Sequence, residues 1–236
     1  VNRDDQTLTI REINEGSSST GEGITVNIPA QVNGWNVVSV DPNALSGLNN
    51  VTDINMPDTE YAIMIGDNAF PSTATIHTTL ALLDDYALMP SLKLNYESAK
   101  VMTTVAPANK YWTLGIGCDV IIPDGVIPYV VKVKNTAEVA TEMIPEVLLK
   151  NGNERIIKAN NGVLLYGNAA QDYDLVAYSG RIPTGSPIAT SDNKDYGSDN
   201  CLEPVIGKKH YDSGHYFVLQ NNEFHAILAE GDEVKD

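Results

Sequence analysis

The residues able to do chemistry are few and scattered. Four histidines and two cysteines stand among 236 residues. A zinc hydrolase needs two histidines a helical turn apart with a glutamate between them. His210, His215 and His225 fall instead in turn and strand contexts, where His215 and His225 meet at most across a hairpin. No Gly-x-Ser-x-Gly elbow occurs, and Cys118 lies in an apolar strand region with no histidine near it in sequence, so nucleophilic catalysis has no support. Acids that cleave glycosidic bonds meet through the fold rather than along the chain. Asp84-Asp85, Asp172 and Asp174 therefore stay open, but each reads more simply as a loop or turn residue. The run from Asp192 to Asn200 is rich in oxygen ligands and invites calcium, yet it lacks the alternating acids before glycine and carries Lys194 inside. The expectation is a non-enzymatic chain with no cofactor and no metal.

Binding residues are the remaining candidates. Sugars and peptides dock on exposed aromatic faces. Trp35 follows Asn33-Gly34 in what reads as a return loop, and Trp112 stands in the first strand of a second domain, where core packing is the simpler role. A second set is small and polar: Thr25, Asp53 and Thr75 in one column, Asn27, Asn55 and His77 in another. Those columns exist only if the strands that carry them repeat in register.

The repeat is visible. Ile24-Thr25-Val26-Asn27-Ile28-Pro29 lies over Val51-Thr52-Asp53-Ile54-Asn55-Met56-Pro57, and Pro42-Asn43-Ala44-Leu45 over Asp67-Asn68-Ala69-Phe70. A third, fainter copy runs from Thr73 to Thr78 with Ile76 inward. The spacings, 28 residues from Ile28 to Met56 and 22 from Met56 to Thr78, fall in the leucine-rich-repeat range. In each unit Ile28, Met56 or Ile76 points inward while its neighbours on the strand face out, and proline ends the strand because it has no N–H for the ladder. Leu45 and Phe70 return to the core from the opposite side. Thr7 to Ile13 alternates like a half-exposed strand and reads as an N-terminal cap.

Leu80, Leu82, Leu83, Tyr86 and Ala87 suit a short helix stopped at Pro90. Beyond it come strand-like segments at Tyr111 to Leu114, Val120 to Ile122, Tyr129 to Val133, Glu146 to Leu149, Val163 to Tyr166, Tyr173 to Tyr178, Tyr216 to Gln220 and Glu223 to Leu228. Pro123-Asp124-Gly125, Asn151-Gly152, Asn160-Asn161-Gly162 and Asn221-Asn222 punctuate them with turns. Short strands so spaced indicate a sandwich or barrel.

Composition bounds the partners. Fifteen basic against thirty-one acidic residues leave a formal net charge of −16, which repels phosphate backbones and anionic lipid. Nucleic acid is excluded as a partner on this ground. No apolar run approaches the ~20 residues of a spanning helix. The opening at Val1, followed by polar Asn2-Arg3-Asp4-Asp5, reads as a mature form whose export signal lay upstream. Cys118 and Cys201 are too few for a disulfide scaffold; two buried thiols and a single bridge both stay open.

The first ninety positions resemble the BspA-type leucine-rich repeats of Bacteroides surface antigens. The likeness is carried by Leu8-Thr9-Ile10, Ile28-Pro29, Asn33-Gly34, Val37-Val38-Ser39-Val40, Asn43-Ala44-Leu45 and Asn68-Ala69-Phe70. From about Tyr111 the chain is similar to a β-rich domain that follows such repeats in Bacteroidetes surface proteins. Tyr111-Trp112-Thr113, Ile122-Pro123-Asp124-Gly125-Val126, Ala159 to Leu165, Asn200-Cys201-Leu202 and Tyr216-Phe217-Val218-Leu219 carry that part.

The resemblance implies a mainly β chain: a cap and about three repeats in a short leucine-rich-repeat solenoid over 1–95, then a β-sandwich-like domain over 96–236. It implies display on a bacterial surface, peripheral or lipid-anchored, and binding of a protein or glycan ligand through Thr25, Asn27, Asp53, Asn55, Thr75, His77 and nearby Trp35. The alternative is a carbohydrate-binding accessory module of glycan uptake with Trp35 or Trp112 as its platform.

Overall fold

The computed structural model describes residues 5–13, 23–45, 48, 50–92, 100–135, 138–145, 149–151, 154–157, 159–178 and 202, with the short strands at 209–210, 217–220, 223–226 and 233–234. The described chain is mainly β, built of several sheets with one short helix. It divides into two compact units, Val1–Thr104 and Val105–Asp236; the sequence reading set the boundary at 95/96.

In the first unit two parallel ladders alternate along the chain. One is built from β1 (Thr7–Ile10), β4 (Trp35–Val40) and β6 (Met64–Ile65), with the two-residue β3 (Gln31–Val32) antiparallel on β4. The other is built from β2 (Ile24–Asn27), β5 (Val51–Asn55), β7 (Thr75–His77) and β8 (Val101–Val105). Thr7–Ile10, part of the segment expected as a cap, forms the edge strand of the first ladder and pairs with β4. The predicted helix is a 3-10 turn at Leu80–Leu82 running into α1 (Leu83–Ala87). Its inward side, Leu82, Leu83, Tyr86 and Ala87, is buried, and the Tyr86 hydroxyl accepts the Ile63 N–H at 2.9 Å.

Burial follows the repeat. Val26, Ile54, Ile76 and Val101 are paired in register and buried, Ile54 fully so. Burying one such side chain contributes about 2 kcal/mol. One position further in each alternation, Ile28 N–H donates to Asn55 O, Met56 N–H to His77 O and Thr78 N–H to Met102 O. Ile28, Met56, Thr78 and Thr103 therefore form a second inner column. Where the first copies read Ile-Pro and Met-Pro, the later ones read Thr78-Thr79 and Thr103-Thr104.

Two strands each carry one extra residue. Leu8 and Thr9 face Val37 and Ser39, leaving Val38 over, and Ile24 and Thr25 face Val51 and Asp53, leaving Thr52 over. These bulges turn strict alternation into apolar-x-x-apolar steps, Val37 to Val40 and Val51 to Ile54, with all four residues buried.

The turns stack as the strands do. Ala44 N–H bonds Asp41 O and Ala69 N–H bonds Gly66 O, closing two turns whose third residues, Asn43 and Asn68, have φ of 61° and 56°. Asparagine tolerates that left-handed geometry better than other side chains do. Ile13 N–H donates to Ala44 O and Leu45 N–H to Ala69 O, so one turn rests on the next. Leu45 and Phe70 are buried behind them.

The second unit is antiparallel. In it β10 (Asp119–Ile122) lies between β14 (Glu154–Ile157) and β16 (Tyr173–Tyr178), with β13 (Leu149–Asn151) outside β14. A second set orders β12 (Glu138–Pro145), β11 (Ile127–Asn135), β15 (Gly162–Tyr166) and β9 (Tyr111–Gly115). Gly162, Val163, Leu164 and Leu165 are buried in succession, so β15 is covered on both faces. Two short pairs complete the described residues: β17 (Lys209–His210) with β20 (Glu233–Val234), and β18 (Phe217–Gln220) with β19 (Glu223–Ala226). The latter is the hairpin expected across Asn221-Asn222, with Gln220 opposite Glu223. Residues 192–200, His215, Cys201 and the 146–148 part of the expected Glu146 to Leu149 strand lie outside the described residues.

Three consequences for stability are measurable by urea titration. A Cβ on Gly66 would overlap the backbone nitrogen of Pro42 and lie 2.6 Å from its Cδ, so Gly66→Ala is expected to cost about 1–3 kcal/mol. Gly34→Ala, at φ +80° in open space, is expected to cost about 1 kcal/mol from backbone strain alone. The Thr78 hydroxyl is buried with no hydrogen-bond partner among the described residues. Thr78→Val keeps the shape and removes that polar group, and a gain of about 1 kcal/mol is expected; a loss would mean that the hydroxyl is satisfied.

Candidate functional site

The polar columns read from the sequence are assembled by β2, β5 and β7. Thr25 pairs with Asp53 and Asp53 with Thr75; Asn27 pairs with Asn55 and Asn55 with His77. Because Val26, Ile54 and Ile76 between them point inward, all six side chains share the outer face. Thr25, Asn27 and Asn55 are exposed, whereas Asp53, Thr75 and His77 are half-buried.

Hydrogen bonds tie the rows together. Asn55 Nδ2 donates to Asn27 Oδ1 at 2.7 Å. His77 Nε2 lies 2.7 Å from Asp53 Oδ1, a diagonal contact between adjacent strands. The bond from His77, and then one from Thr52, hold the Asp53 carboxyl below its ordinary value of 3.8, outweighing the desolvation that opposes them. Asp53 is therefore ionised at neutral pH, and the His77 Nε2–H is the donor in the pair. The amides, hydroxyls and carboxylate make a face of oriented donors and acceptors suited to holding a polar ligand.

Trp35 does not join this face. Asn33 and Gly34 take φ of 52° and 80° and close a two-residue hairpin, so Trp35 heads β4 opposite Val32 rather than occupying a return loop. It belongs to the β1–β4–β6 ladder, a different sheet from the six polar residues. Trp112 is half-buried in β9 opposite Leu165. Its ring stacks on Tyr173, centroids 5.7 Å apart and 22° between planes. Its indole N–H is enclosed without a partner among the described residues, which makes it a packing residue and not a docking platform. A Cβ on Gly167 would lie 2.8 Å from the Tyr173 hydroxyl and 3.1 Å from the Trp112 ring, so the glycine admits this stack.

The acids singled out for catalysis are separately accounted for. Asp84 and Asp85 open α1, where the Asp85 N–H bonds Asp84 Oδ1 at 3.0 Å; burial and then the Asp84 charge raise the Asp85 carboxyl above its usual range. Asp172 and Asp174 are exposed at the start of β16. His210 stands opposite Glu233 and His225 opposite Val218. Cys118 is buried. Among the described residues no group of three or more His, Cys, Asp and Glu side chains is placed to hold a metal ion.

Sequence reasoning missed the fourth row. Met102 on β8 pairs with His77, and the Ile76 N–H donates to Lys100 O, so both columns continue through Lys100 and Met102. The signal was faint: Lys100-Val101-Met102-Thr103-Thr104 matches Thr75-Ile76-His77-Thr78-Thr79 only in its inner valine and closing Thr-Thr. It also missed polar pairs on the other ladder, Thr9 Oγ1 with Ser39 Oγ at 2.6 Å and Gln31 Nε2 to Asn36 Oδ1 at 2.8 Å.

No family model matches the chain, and no curated protein matches it either. A crystal structure of a protein from Lactobacillus plantarum aligns with 60% of this chain and 78% of its own, at 11% identity and a TM-score of 0.18. So low a score relates neither fold nor function.

The Asp53–His77 contact has a titration signature. A depressed folded-state value contributes stability that is present above about 3.8 and is lost as pH falls through the folded value. In His77→Ala the Asp53 carboxyl is expected to titrate closer to 3.8, read by carbon-detected NMR of the carboxyl, and the acid limb of the stability curve is expected to flatten. An unchanged Asp53 titration would show that His77 does not set it.

Proposed function

We propose that this chain is a non-catalytic bacterial surface or secreted interaction protein that binds a host or microbial macromolecule through the outer face of β2, β5 and β7. In this reading the first unit is a short leucine-rich-repeat solenoid of the BspA type and the second a β-sandwich-like module. The observation that carries the reading is the pairing of Thr25, Asp53, Thr75 and of Asn27, Asn55, His77 in register, with hydrogen bonds between rows. A strand face that need not pack inward is where repeat proteins place recognition. Fixing the rotamers beforehand lowers the entropy lost on binding. The alternation of two parallel ladders at spacings of 28 residues from Val26 to Ile54 and 22 from Ile54 to Ile76 supports the solenoid.

Display outside the cell, peripheral or through a lipid anchor, is part of the same proposal. Among the described residues no helix is long and apolar enough to cross a membrane.

The test is an array of glycans and host matrix proteins probed with the chain at micromolar concentration, alongside the double variant Asn27→Ala/Asn55→Ala. Both asparagines are exposed, so the variant is expected to keep its circular dichroism spectrum. At least one ligand is expected to bind, with affinity falling tenfold or more in the variant, the loss of one to two hydrogen bonds. No binding across the array, or binding indifferent to the variant, would refute the assignment of this face.

A further inference from the structure

We infer that the polar face takes a short stretch of neutral glycan lying across the strands, and that it extends onto β8, where Met102 supplies an apolar contact. The inference rests on the reading above and names the chemistry of its ligand.

Size excludes a folded partner as the sole occupant. Parallel strands lie about 4.8 Å apart and alternate residues about 6.6 Å apart, so the six side chains span an area on the order of 200 Å². A stable protein interface needs about 800 Å² on each partner. Even with the row of Lys100 and Met102 the patch stays well below that figure, while a few sugar units match it. Protein interfaces also rely on aromatic or arginine anchors. None of Thr25, Asn27, Asp53, Asn55, Thr75 and His77 is one.

The groups that remain after the internal bonds suit sugar hydroxyls, which donate and accept at once. Asn27 keeps both its amide hydrogens, and Asn55 keeps its carbonyl oxygen and one amide hydrogen. His77 keeps its Nδ1, because its bond to Asp53 uses only Nε2, whereas the Asp53 carboxylate already accepts from His77 and Thr52 and offers only its remaining lone pairs. Met102, half-buried and paired with His77, offers a polarisable surface to the C–H side of a sugar ring. Charge selects against acidic sugars: Asp53 is ionised at the centre of the face, and the chain carries a formal charge of −16. Lys100, exposed at the far end, is the one cation among the eight residues of the extended columns.

The experiment is an NMR titration of the full chain with di- to hexasaccharides of the gluco-, manno- and galacto- series, with oligouronates as a second arm. Saturable shifts are expected at the Asn27 and Asn55 side-chain amides, the His77 ring and the Met102 methyl. Affinity should fall about tenfold in Asn55→Ala, as for the loss of a hydrogen bond, and severalfold in Met102→Ala. Absence of shifts at these groups with every neutral oligosaccharide overturns the inference, as does tighter binding of the uronates. A protein ligand whose binding is lost in Asn27→Ala/Asn55→Ala, with no glycan bound, overturns this inference while leaving the proposed function standing.

Discussion

Val26, Ile54, Ile76 and Val101 lie on adjacent parallel strands and stack as one buried column, and the register of that column governs the rest of the first unit. Side chains alternate with period two on a strand. A slip of one residue would therefore carry the apolar column to solvent and the polar columns into the core. Burial of four branched aliphatic side chains in line opposes such a slip by several kcal/mol. The outer face inherits its order from the inner one: Asn27 meets Asn55 because Val26 meets Ile54.

The same register reaches the turns. Parallel strands need a return path of fixed length, and here the returns stack on one another through Ile13 to Ala44 and Leu45 to Ala69 hydrogen bonds. Gly66 leaves no room for a side chain against Pro42, and Asn43 and Asn68 supply left-handed backbone. The bulges at Val38 and Thr52 let strands of unequal length keep the column aligned. Regularity relaxes toward β8. The apolar-proline ending gives way to Thr-Thr, and Thr78 brings a buried hydroxyl into a position that held Ile28 and Met56.

The chemistry of the candidate face follows from what surrounds it. Asp53 and His77 are both partly shielded, and their mutual bond fixes which acceptor and which donor are spent internally. Trp112, by contrast, is occupied by Tyr173 and Leu165, so the largest aromatic of the second unit stabilises that unit instead of presenting a surface. Trp35 is governed by the hairpin at Asn33-Gly34.

Much of this was legible in the residue order, and the limits have physical causes. Periodicity of apolar residues identified Ile28, Met56, Ile76, Leu45 and Phe70 as inward and aligned the two polar columns, because inward and outward positions are a local property of a strand. Turn chemistry placed the hairpin at Asn221-Asn222 and the strand at Tyr173 to Tyr178. What stayed hidden depended on neighbours distant in sequence. The strand Val101–Val105 lacks the proline that marked its siblings, and Glu138–Pro145 is rich in residues with weak strand preference; both are strands because β7 and β11 offer them hydrogen-bonding edges. Which side of a hairpin Trp35 occupies, and that Asp53 bonds His77 diagonally, were decided by pairing. The sequence by itself determined which side chains face out; the tertiary structure decided which of them meet, since register is set by the whole buried column and not by any one strand.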